Sequence, residues 1–92
     1  FPLKYNPNVL KISQKKFTDA IAAEGIPIGT NYGCLVSTWK WTNKFFKKNY
    51  STPNALNTRD SCFHLYLNEN YKKKEAVDIV NAIKKIENYY RK

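Results

Sequence analysis

Cys62-Phe63-His64-Leu65-Tyr66-Leu67, a turn at Asn68, Glu69 and Asn70, and then YKKKEAVDIVNAIKKIENYY over residues 71–90 form the stretch that decides the fold class. The first six residues carry apolar or aromatic groups on both faces of an extended chain, the pattern of a central strand covered from two sides. The following segment places Ala76, Val77, Val80, Ile83 and Ile86 on one stripe at helical spacing, with lysines on the other face, and so predicts an amphipathic helix. Asn70 is the expected N-cap, and Glu87 with Arg91 is a favourable i,i+4 pair near the C-terminal end.

Upstream of this stretch, Thr52 and Pro53 open a short helix, because proline suits the first helical position. Phe1, Leu3 and Tyr5 alternate in a first strand over residues 1–5, which Pro7 and Asn8 break. Ser13 caps a helix over residues 14–24, in which Phe17 and Ile21 are expected to face the core. Gly25 is placed to end it in the left-handed conformation, and Pro27 forbids continuation. Residues 26–32 read as a second strand with Ile26, Ile28, Thr30 and Tyr32 on alternate positions, while Gly29 and Gly33 admit close approach of another group. Residues 37–50 suit an amphipathic helix or a packed loop. Together these elements predict an α+β fold: a small antiparallel or mixed sheet of about three strands with helices packed on one side of it, in a single domain over residues 1–92.

Hydrophobic residues make up 42% of the chain and aromatics 15%, enough to build a core and to argue against disorder. No apolar run reaches the roughly 20 residues of a membrane helix. The net charge is +9, from 16 Lys and Arg against 7 Asp and Glu. Fourteen of the cations are lysines, whereas base readout and phosphate clamping favour arginine forks, so the excess reads as a solvated basic surface rather than a nucleic-acid site. Cys34 and Cys62 are the only cysteines and fit free thiols in a reducing, cytoplasmic setting. The chain lacks methionine, which is expected of a processed chain or of a piece of a longer protein, and Phe1 to Tyr5, reading as a strand already under way, favours the piece.

The search for chemistry is mostly negative. Gly25, Gly29 and Gly33, spaced by four, match neither a phosphate-binding loop nor a dinucleotide fingerprint. Cys62 and His64 share a strand face, but a lone histidine beside a cysteine in a strand reads as a core or boundary residue. The seven carboxylates are scattered, none paired at general acid–base spacing, and Arg59 with Asp60 reads as a turn or surface ion pair. No catalytic residue, metal ligand or cofactor-binding residue is therefore expected within the chain. Trp39, Trp41, Phe45 and Phe46, interleaved with lysines, can pack a long connection onto the core, dock a partner, or stack single-stranded bases. The end of the second strand, Gly29 to Cys34, is the best candidate for a ligand-facing edge, because backbone and short side chains there can reach a bound molecule.

Three stretches taken in order carry a resemblance. They are FTDAIAAEGIPIGTNY (17–32), PNALNTRDSCFHLYL (53–67) and the valine and isoleucine stripe within residues 72–86. This order resembles the C-terminal small domain of the DegT-type aminotransferases, pyridoxal-phosphate enzymes that aminate keto groups on nucleotide-linked sugars. Glu24-Gly25-Ile26, Tyr32, Leu35, Asn54-Ala55 and the stripe of Val77, Val80 and Ile83 occupy the places of that family's landmarks. Val36 stands where the family often has histidine, and Phe63-His64-Leu65 replaces a Leu-Pro-Leu strand.

The resemblance implies a homodimeric parent enzyme of the aspartate-aminotransferase fold. Its cofactor, pyridoxal phosphate, would be held by a large N-terminal domain absent here. The small domain would help close the site over a nucleotide-sugar substrate, with an amino donor as second substrate, and would be inactive alone. Asn31, Tyr32 and Cys34 would contact the sugar nucleotide, with Arg59 as a weaker substrate-binding candidate. The alternative is a freestanding basic and aromatic module that binds nucleic acid or protein.

Overall fold

The computed structural model describes residues 1–46 and 50–92. The chain runs β1 (Pro2–Lys4), α1 (Gln14–Ala23), β2 (Ile28–Gly29), two 3₁₀ turns (Val36–Thr38 and Lys40–Phe45), α2 (Pro53–Ser61), β3 (Cys62–Leu65) and α3 (Lys73–Tyr90). The sheet is antiparallel in the order β1-β3-β2, with Leu3 opposite Phe63 and Ile28 opposite Leu65. The fold is thus α+β with β3 central, but β3 stops at Leu65 rather than Leu67 and is fully covered on its Phe63 and Leu65 face alone.

Side chains alternate along β3. Phe63 and Leu65 are buried, and Phe63 meets the edge of Phe17 from α1 with ring centroids 5.8 Å apart. Tyr5, Leu10, Phe17, Ile21, Phe63 and Ile86 make one core between the sheet, α1 and α3. Burying each large apolar side chain contributes roughly 1.5–3 kcal/mol. The Tyr5 hydroxyl satisfies itself inside this cluster by donating to the Ile12 carbonyl. Cys62 and His64, on the opposite face, are only half-buried.

α1 starts as expected, with the Lys16 amide donating to the Ser13 hydroxyl. It stops at Gly25, whose φ of 87° is accessible to glycine at little cost and whose amide bonds the Ala22 carbonyl at 2.9 Å. Four expectations are corrected. The last helix begins at Lys73, two residues beyond the expected start, and Lys72 rather than Asn70 precedes it. Its buried stripe runs through Ile79, Ile83 and Ile86, while Val77 and Val80 are each 47% exposed. The second strand shrinks from residues 26–32 to Ile28–Gly29. Residues 36–45 form two 3₁₀ turns, not the amphipathic helix that is one of the two readings of residues 37–50, and Lys47, Lys48 and Asn49 lie outside the described residues.

The whole is a slab of 50 × 35 × 18 Å with a radius of gyration of 16.1 Å. A compact chain of this length would have a radius of gyration near 12 Å. Large apolar side chains left exposed at the end of β3 include Tyr66 and Leu67.

Candidate functional site

The site begins where the sheet stops. The Gln14 side-chain amide donates to the Thr30 carbonyl at 3.2 Å and to the Cys62 carbonyl at 2.6 Å. In the register that sets Gly29 opposite His64, the Cys62 carbonyl is the acceptor the Asn31 amide would use in the next rung, and the Gln14 amide takes it instead. The Thr18 and Thr30 hydroxyls, 2.7 Å apart, fix the departing chain against α1, where Thr18 is only 1% exposed. The chain then carries Tyr32 over His64, with ring centroids 5.9 Å apart and planes tilted by 46°.

α2 supplies the facing wall. Pro53 at its first turn sets the start, and Asn54, Ala55, Thr58 and Arg59 then fall at spacings of three and four on one helix face. With Pro2, Tyr32, Leu35, Cys62 and His64 they line an open cleft of about 390 Å³. Small-molecule sites run from roughly 300 to 1,000 Å³, so the cleft falls at the lower end of that range. Its one charged group is Arg59, whose Nε donates to Asp60 at 2.8 Å. The terminal guanidinium nitrogens make no hydrogen bond among the described residues, which leaves a fork for an anion or a hydroxyl.

Two of the four expected site residues, Tyr32 and Arg59, come together here. Asn31 and Cys34 are exposed and lie outside the lining. Residues not assigned to a site from sequence also line it: Pro2, Leu35, Asn54, Thr58, and the pair Cys62 and His64. The two-residue spacing of Cys62 and His64 was the one signal that could have found the β3 wall. No hydrogen bond joins their side chains among the described residues, and neither has a carboxylate partner there, so the cleft can bind but lacks a nucleophile–base arrangement. A second hollow, of about 250 Å³, lies over the core beside Leu3, Phe17 and Ile83, with Glu87 at its rim held by Arg91.

No group of three metal-ligating side chains exists among the described residues. Every described lysine is exposed, none in the desolvated setting that an imine-forming lysine needs, so these residues do not by themselves fit a covalently held pyridoxal phosphate. No helix among the described residues is long and apolar enough to cross a membrane. The chain matches no family model, no curated protein and no solved structure.

Proposed function

We propose that the chain is the small C-terminal lobe of a cytoplasmic pyridoxal-phosphate aminotransferase acting on keto nucleotide-sugars, and that its cleft is one wall of the sugar site. The observation that carries this reading is a convergence. Tyr32, Leu35, Asn54 and Ala55, four of the positions on which the sequence resemblance to DegT-type enzymes rests, are up to 23 residues apart in the chain (55 − 32) yet line one cleft, while Glu24-Gly25-Ile26 and the Val77, Val80 and Ile83 stripe lie outside it. The thin slab shape supports the same reading, since a lobe that closes on a larger domain leaves apolar surface for that domain to cover. The cleft's small volume and lack of reactive groups fit a wall that positions substrate while the cofactor acts elsewhere; the cofactor's part is to act as an electron sink.

The test is amino transfer by the protein encoded by the whole gene. Glutamate and a nucleotide-linked keto-sugar should be converted in a pyridoxal-phosphate-dependent reaction. A gene with no large domain ahead of Phe1, or a product without transferase activity toward any such sugar, would overturn the reading.

A further inference from the structure

We infer that the aromatic and basic surface on the two 3₁₀ turns is a docking surface for an acidic, apolar-bearing segment of another polypeptide. Trp41 and Phe45 are 63% and 67% exposed, and Val36 beside them is 46% exposed. These are high values for side chains whose burial normally stabilises a fold. They are not loose. Trp41 stacks on Trp39 at 5.9 Å and meets Phe45 edge-on at 6.3 Å. Beneath them the Thr42 hydroxyl, 3% exposed as a residue, lies 2.7 Å from the Trp39 carbonyl and 3.0 Å from the Val36 carbonyl, tying one turn to the other. Ser37 bonds Thr52 at the head of α2 through their hydroxyls at 2.6 Å. The rings are thus held in place before any partner arrives, which lowers the ordering cost of binding.

Charge selects the occupant. Between Glu24 and Asp60 the sequence contains no carboxylate, while Lys40, Lys44, Lys47, Lys48 and Arg59 fall in that interval. Lys44 sits over the Phe45 ring at 5.1 Å, an amine held at the edge of the apolar patch. An apolar centre with a cationic rim complements an acidic segment that carries a large apolar side chain. A second copy of the chain, itself at +9, is a poor complement. Single-stranded nucleic acid fits less well, because phosphate clamping favours arginine forks and the cations from residue 40 to 48 are all lysines. This inference is independent of the aminotransferase reading.

Trp39 and Trp41 are the only tryptophans among seven tyrosines, so fluorescence excited selectively in tryptophan reports this surface. The chain is titrated with a short peptide alternating Glu and Phe, with the matching Lys–Phe peptide, with polyglutamate and with oligothymidylate. The Glu–Phe peptide should shift the emission saturably, and its binding should weaken as salt is raised. Trp41→Ala combined with Phe45→Ala should reduce its affinity about tenfold or more, the scale of losing a central anchor, with Trp39 as the remaining reporter. Lys40→Glu with Lys44→Glu should weaken it as well, and unchanged far-ultraviolet circular dichroism controls for folding. Tighter binding of oligothymidylate, an equal response to the Lys–Phe peptide or to polyglutamate, or no response to the Glu–Phe peptide would overturn the inference.

Discussion

The side-chain amide of Gln14 donates to the backbone carbonyl of Cys62 at 2.6 Å, across 48 positions of sequence. That bond takes the acceptor of the next β2–β3 rung, and a second, to the Thr30 carbonyl at 3.2 Å, holds the departing chain beside the start of α1. Gln14→Ala should leave two part-buried carbonyls without a partner and cost about 1–3 kcal/mol. Urea denaturation followed by circular dichroism measures this, and a loss below experimental error would mean that water replaces the amide.

α3 provides a sharper comparison, because it buries one apolar set and exposes another. At roughly 100° per residue, Val77 and Val80 lie well away from the line through Ile79, Ile83 and Ile86. Ile79→Ala should therefore cost about 2–5 kcal/mol, while Val77→Ala should stay within about 0.5 kcal/mol. Equal losses at the two positions would show that an undescribed surface covers Val77.

That pair also shows where sequence reading stops. Apolar residues occupy more than one flank of α3, and the pattern alone does not say which flank meets the sheet; tertiary packing chose the isoleucines, which offer more area to bury than valine. The strands, the central place of β3, the Ser13 cap and the Gly25 stop were legible because each follows from local periodicity or a single backbone requirement. The length of β2 was not, because a side chain fourteen residues before Ile28 ends it (28 − 14). The cleft was half legible. Tyr32 was visible as the end of a strand and Arg59 as the one internal arginine, but His64, Leu35 and Asn54 join them only through the docking of α2 beside β3.

Glu75 gives a pH-dependent test. Its carboxylate accepts the Lys72 amide at 2.8 Å, capping α3 from its first turn. Hydrogen bonds from the Lys72 amide, and then from its own, hold its pKa below the ordinary glutamate value. A lowered folded pKa means the contribution is full above the ordinary value and is lost as pH falls through the lowered one. Wild type should melt higher than Glu75→Ala at neutral pH, and the gap should close on acidification below the ordinary glutamate range. A gap that persists in strong acid would show that the charged cap is not its source.

Tyr32 and Arg59 bear on the proposed activity. Tyr32 is 54% exposed and can be replaced with little expected effect on the fold, so a change in kinetics would reflect the cleft. In the full-length enzyme, a side chain that holds the sugar equally in ground and transition states raises KM without lowering kcat. Tyr32→Ala should raise KM for the nucleotide-sugar about tenfold or more, leave kcat within a few-fold, and spare KM for the amino donor, whose amine reacts at the cofactor. Tyr32→Phe separates ring from hydroxyl: if the ring packs on the sugar as it packs on His64, Phe restores most of the loss. Arg59→Lys keeps the charge but removes the fork facing the cleft, and should reproduce part of the KM effect. Steady-state kinetics with each substrate varied in turn decides the matter, and an unchanged sugar KM in both Tyr32→Ala and Arg59→Lys would remove this cleft from the substrate site.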